Sequence, residues 1–211
     1  LDNKLARREP VVGEMSILNE EIDRVGQLIN GLADLQPSTT VRATDVAKVA
    51  DDVLRLFSAS DFVPSKVDVA LEFGEHPAEV EGDADILKQI LVNLVKNAVE
   101  ALCDVPEGGR IAIANRGIVN RDRKLYLEIA VTDTGPGMPP EVLAHLFSPV
   151  RSSKPGAHHG LGLSIVHSLV RKIGGLVSCR SSRAGTTFEI LLPVRTSTAV
   201  AGPQPRALDS V

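Results

Sequence analysis

Eight apolar residues, Ile86, Leu87, Ile90, Leu91, Leu94, Val95, Ala98 and Leu102, recur at helical spacing and give one helix a broad apolar face. Such a face has to be covered by a second layer. Asp83 stands where its side chain can cap the first turn. The neighbouring segments change period: Val67, Val69, Leu71 and Phe73 alternate, as do the stretches 110–116 and 125–132, the latter two suiting an antiparallel pair. Helical and alternating segments in one chain predict an α/β layer fold. Tyr126 is the only Tyr and Trp is absent, so that core is built from Val, Leu, Ile and Ala.

The remaining segments fit around this frame. Thr44-Asp45 suits the start of a helix over 46–58, with Val46, Val49, Val53, Leu54 and Phe57 on its buried side. After a turn at Gly74 to Pro77, residues 78–81 form a short paired strand. Pro139 and Pro140 suit the start of a short helix ending near Leu146. A loop of about a dozen residues follows, long by ordinary loop-length priors and rich in Ser, Pro, Lys and His. Residues 160–173 form a helix ended by Gly174-Gly175, and 176–181 with 186–192 a last hairpin.

At the N-terminal side, Leu18, Ile22, Val25, Ile29 and Leu32 form a heptad seam on a helix from about Met15 to Leu35. That stripe suits a partner helix, or an ordinary amphipathic helix packed on its own domain. The expected organisation is therefore a helical segment 1–36, a linker 37–44, a globular domain 45–194 and an irregular tail 195–211.

Charge and cysteine content exclude several function classes. A formal net charge of −4 gives no basic stripe for tracking nucleic-acid phosphates, so no nucleic-acid partner is expected. Cys103 and Cys179 are far apart in apolar-looking elements, which predicts buried thiols in a reducing compartment rather than a disulfide or zinc site. No apolar run approaches the ~20 residues of a membrane span and no signal-peptide pattern opens the chain, so the expectation is a soluble protein.

Three local patterns carry chemistry. Gly135 and Gly137 follow Asp133 at a strand end, where a missing side chain lets backbone and ligand approach closely. Gly160-Leu161-Gly162-Leu163 at a helix start offers free N–H groups and a positive dipole end to an anion. Asn93 and Asn97, four apart, share one face of the long helix, where two amides can bind an ion or water or simply meet solvent. Asn carbonyls are oxygen ligands suited to Mg²⁺. Each pattern alone is weak.

Taken in order, they resemble the ATPase domain shared by sensor histidine kinases, gyrase and MutL, the GHKL or Bergerat fold. Asn93-Leu94-Val95-Lys96-Asn97-Ala98 resembles its N box, and Asp133-Thr134-Gly135-Pro136-Gly137 its first glycine box. Leu146-Phe147-Ser148-Pro149 resembles the F box and Gly160-Leu161-Gly162-Leu163 the second glycine box, with Gly185-Thr186-Thr187-Phe188 in the closing hairpin. The resemblance spans roughly Asp45 to Val194. Histidine kinases fit best, because the gyrase branch places a Glu base where this chain has Asn93. Residues 147–154 resemble the lid of nitrogen-regulation sensors, with Val150 and Arg151 in place of an aromatic pair. Helix 15–35 is similar to the second helix of a kinase dimerisation domain.

The resemblance implies a two-layer α/β sandwich, three helices on a mixed sheet, preceded by one long dimerisation-type helix. It implies ATP and Mg²⁺ as cofactors, Asp133 as acceptor for the adenine amino group and Asn97 as Mg²⁺ ligand with Asn93 nearby. Gly135, Gly137, Leu161, Leu163 and Thr187 would complete the site, with Lys154 and the amides of Gly160 and Gly162 on the phosphates. The phosphoacceptor histidine would lie before Leu1, and none of His76, His145, His158, His159 and His167 is expected to serve. Partners would be ATP or ADP, the chain's own dimerisation domain in a homodimer, and a response regulator, in the cytoplasm with or without a membrane anchor in the parent. Two alternatives are a non-catalytic ATP-responsive scaffold or degenerate kinase, and a serine-directed relative.

Overall fold

In the computed structural model, residues 43–58, 62–74, 79–147 and 162–194 are described. The seam helix 15–35, the loop 148–159 and the tail 195–211 lie outside them.

The elements run β1 (Ala43–Asp45), α1 (Val46–Ser58), β2 (Val67–Glu72), β3 (Glu79–Glu81), α2 (Ala84–Cys103), β4 (Gly109–Arg121), β5 (Lys124–Asp133), α3 (Pro140–Ala144), α4 (Gly162–Lys172), β6 (Leu176–Ser182) and β7 (Gly185–Pro193). A five-stranded sheet has the order β2-β4-β5-β7-β6. Only β2 and β4 pair in parallel, joined through α2, and the other neighbours are antiparallel. The sheet is therefore mixed, and α1, α2 and α4 supply the helical layer. No helix among the described residues is long and apolar enough to cross a membrane.

Helix α2 is the centre of the core. Leu87, Ile90, Leu91, Leu94, Val95, Val99 and Leu102 are all at most 2% exposed. Burying each side chain of this size is worth about 1.5–3 kcal/mol. They meet Ile111, Ile113, Leu127, Ile129, Ile190 and Leu192 from the sheet. Asp83 starts the helix as its pattern predicts, with Oδ1 accepting the Asp85 N–H at 2.8 Å. Asp45 does the same for α1, accepting from Ala47 and Lys48 at 2.9 and 3.2 Å. Helix α4 ends where Gly174, at φ +71°, turns the chain and the Gly175 N–H reaches the Val170 carbonyl at 2.9 Å.

The structure departs from the expectations at several places. Ala43–Asp45, largely within the expected linker, is a strand, and its partner is β3. Residues 79–81 are thus a short paired strand as expected, with Ala43–Asp45 as the partner. Thr44 is buried and donates its hydroxyl to the Gly82 carbonyl at 2.8 Å, leaving the capping of α1 to Asp45. Strand β2 is a sheet edge, with only Val67 fully buried. Strand β4 continues to Arg121, past a bulge at Asn115–Gly117, and meets β5 through Asp122 and Arg123 at φ +50° and +63°. Two consecutive positive φ values are the signature of a tight hairpin turn matched to strand twist. Cys103 is exposed rather than buried, because Leu102 is the last core position of α2, and Cys179 is half-buried.

Candidate functional site

Alternation along β5 sends Leu127, Ile129 and Val131 toward the helices, and Asp133 falls on the same side at the strand end. It is only 5% exposed. Its Oδ1 accepts the Gly135 N–H at 2.8 Å and the Thr186 N–H at 3.3 Å. Both bonds fall on one oxygen, so Oδ2 keeps its lone pairs for a further donor. Burial pushes the Asp133 carboxyl above its ordinary value, and the two backbone N–H groups offset part of that. Burial also pushes the Cys179 thiol up to about 12, reinforced by the charges of Asp133 and Glu189.

The loop after Asp133 is pressed between two elements. A Cβ on Gly135 would lie 2.9 Å from Asp133 Oδ1 and 3.3 Å from the Ala101 Cβ on α2. Gly137, at φ +75°, admits no side chain, since a Cβ there would lie 1.9 Å from the Ser182 carbonyl oxygen. On the same side, the Met138 N–H donates to Ser181 Oγ at 2.8 Å. The carboxylate is thus held between α2 and the β6–β7 hairpin.

The second part of the site lies on α2 and the start of α4. Asn93 and Asn97 are both half-buried, one turn apart. Asn93 Nδ2 donates to the Gln89 carbonyl at 2.8 Å, which fixes the amide plane. Asn97 Nδ2 is buried with no hydrogen-bond partner among the described residues. Both carbonyl oxygens converge on Gly162: a Cβ there would stand 3.6 Å from Asn93 Oδ1 and 3.7 Å from Asn97 Oδ1. Two amide oxygens on α2 therefore face the first residue of α4. Two amide oxygens beside a helix start suit a hard cation bridging to an anion, the combination Mg²⁺ and phosphates require. Among the described residues, no three His, Cys, Asp or Glu side chains gather into a metal site of another kind.

The structure thus brings Asn93, Asn97, Asp133, Gly135 and Gly162 to α2, while Gly137 packs on β6. Leu163 is 7% exposed and packs in the core. Thr187 lies elsewhere: it pairs with Thr132, hydroxyl to hydroxyl at 3.1 Å, on the sheet face opposite Asp133. Its neighbour Thr186, buried and directly opposite Asp133 in the ladder, is the residue that touches the carboxylate. Thr186 and Ser181 were missed by sequence reasoning; alternation counted from Phe188 would have turned Thr186 toward the helices. Lys154, Gly160 and Leu161 lie outside the described residues. Phe147 stacks on His167 of α4, ring centroids 5.4 Å apart at 25°.

Comparison with known proteins places this geometry. Residues 82–196 match the model of the histidine kinase-, DNA gyrase B-, and HSP90-like ATPase family. The chain belongs to that family. Within it, the sensory histidine kinase/phosphatase NtrB of Escherichia coli O157:H7 is 33% identical over 184 residues, covering 85% of this chain and 51% of NtrB. The chain thus spans about half the length of such curated relatives. Among solved structures, the mycobacterial sensor histidine kinase MprB matches with TM-score 0.57 and 28% identity, covering 73% of this chain and 97% of that one. Full-length ShkA in complex with AMPPNP matches with TM-score 0.63 and 25% identity, over 93% of this chain and 41% of that one. The fold is that of the histidine kinase catalytic domain.

Proposed function

We propose that this chain is the ATP-binding catalytic part of a two-component sensor histidine kinase. In this reading the γ-phosphate of Mg·ATP passes to a histidine that is none of the five in this sequence. The observation that carries the reading is Asp133, a buried carboxylate at a strand end whose Oδ1 takes two backbone N–H groups, which leaves Oδ2 to accept from a base. A carboxylate accepts from the exocyclic amino group of adenine and repels the carbonyl that guanine presents at the same place.

Asn97 would hold Mg²⁺ through its amide oxygen, assisted by Asn93, and the amides at Gly160 and Gly162 with Lys154 would hold the phosphate tail. Bound Mg²⁺ supplies charge neutralisation on the phosphates, so the chain's own task is positioning. The Asn93 amide is not basic at neutral pH and cannot take a proton from water, so in this reading it does not activate water and ATP is kept for transfer. The parent would be a homodimer through its dimerisation helices and would hand the phosphoryl group to a response regulator. That ShkA was solved with AMPPNP supports the nucleotide assignment by likeness.

Calorimetry with ADP, ATP and Mg·ATP tests the site, and labelled ATP tests the transfer. The chain should bind adenine nucleotides and acquire no acid-labile phosphate. Absence of adenine-nucleotide binding by the folded protein would sink the reading, and acid-labile label on the chain would sink the claim about its histidines.

A further inference from the structure

We propose that Ser181 is a positioning residue for the base-binding carboxylate and that its hydroxyl sets the preference for adenine over guanine. This rests on the reading of Asp133 as the adenine acceptor. Ser181 is half-buried on β6, on the helix-facing side with Val177 and Cys179. Its oxygen accepts the Met138 N–H at 2.8 Å and lies 3.0 Å from Thr186 Oγ1 and 3.5 Å from the Gly185 carbonyl oxygen. A hydroxyl has one hydrogen and two lone pairs, so it can serve the amide and the neighbouring strand together.

These partners are the two segments that flank Asp133. Met138 ends the glycine loop that begins at the carboxylate, and Gly135 in that loop donates to Asp133 Oδ1. Thr186 faces Asp133 across the β5–β7 ladder and donates its N–H to the same oxygen. One oxygen atom thereby joins both sources of the bonds that orient the carboxylate. Among the described residues Ser181 is the side chain that bonds the Met138 N–H, and the close approach of Gly137 to the Ser182 carbonyl fixes distance without direction. Removing the hydroxyl strands the Met138 N–H and frees the loop to shift against the strand. A directional bond from the base amino group to Oδ2 suffers from such a shift, whereas guanine makes no bond there to lose.

The test measures ADP and GDP affinity for the full chain and for Ser181→Ala and Ser181→Thr, with amide hydrogen exchange at Met138. Ser181→Ala should lose about tenfold in ADP affinity with GDP affinity unchanged, and the Met138 amide should exchange faster. Ser181→Thr restores the hydroxyl and should restore the ADP preference. Thr186→Val, which cuts the same link from the other side, should narrow the preference in part, and it stands in if Ser181→Ala does not fold. An unchanged ADP-to-GDP ratio in folded Ser181→Ala or Thr186→Val overturns the proposal, as does an equal loss in the Ala and Thr variants at position 181. If the unaltered chain binds ADP no better than GDP, the reading of Asp133 has failed first; if it prefers ADP and Ser181→Ala keeps that preference, only the role of Ser181 falls.

Discussion

Asp133 and Asn97 are both polar side chains set among apolar neighbours, but the first has its buried contacts made by protein and the second does not. Two backbone N–H groups meet Asp133 Oδ1, whereas Asn97 Nδ2 is buried without a partner among the described residues. An unmade bond of this kind costs about 1–3 kcal/mol. At the base end one carboxylate oxygen is therefore fixed by the protein alone, through strand ends and a clamped loop, and the other is left for a ligand. The phosphate end holds polar groups whose justification is a ligand, the usual trade of stability for a site.

The largest expected effect comes from breaking the base end. Asp133→Asn should weaken ADP binding by about 10- to 100-fold, because a charge-assisted bond is lost. The melting temperature should not fall, since the amide oxygen can still take both N–H groups and no charge is buried. The pH dependence sharpens this. With the folded pKa raised above 3.8, the protonated carboxyl stabilises the fold fully below 3.8, and that contribution is lost as pH rises through the raised value. Any stability advantage of Asp133→Asn over the unaltered protein should shrink as pH falls through the same window, and ADP affinity of the unaltered protein should fall with it. A pH-independent difference in melting temperature would show that burial does not raise this carboxyl.

At the phosphate end, Asn97→Ala should weaken Mg·ATP binding about tenfold and leave metal-free ADP binding within about twofold. The apo protein should become more stable by up to about 1 kcal/mol, through removal of an unpartnered N–H and gain of a better helix former. Thermal melts with and without Mg·ATP read both effects. Destabilisation of the apo protein would mean that the Asn97 amide is satisfied in solution, and the contrast between the two ends would collapse.

Thr187→Val should have the smallest effect, less than about twofold on ADP affinity, because its hydroxyl bonds Thr132 on the far face of the sheet. A larger loss would return Thr187 to the site where sequence reasoning put it.

That misplacement shows where legibility ended. Helix α2 could be read from its pattern because eight apolar positions and a cap agree, and Asp133 with its glycines because a carboxylate and two glycines at a strand end have few uses. Choosing between Thr186 and Thr187 needs the alternation of β7 counted back from Phe188, and a miscount by one residue moves a side chain to the other face. Strand β1 was hidden for a different reason. Three residues carry no period, and the pairing with Glu79–Glu81 lies nearly forty positions away in the chain. Strand β4 seemed to stop at Arg116 because Asn115, whose side chain accepts the Gly117 N–H, bulges the ladder without ending it.

The small ladder of β1 and β3 has a further consequence. Val80, opposite Thr44 in that ladder, also bridges to Val194 at the end of β7. The entry and exit of the ATP-binding unit are therefore separated by a single three-residue strand, about 10 Å at ordinary strand spacing. A unit whose two ends meet in this way can be spliced into another chain, or its ends joined and reopened elsewhere, with little disturbance to its core. The same arrangement makes it a doorway for force: tension applied at Ala43 would draw on β1 and, through Val80, on the terminus of the strand that carries Thr186.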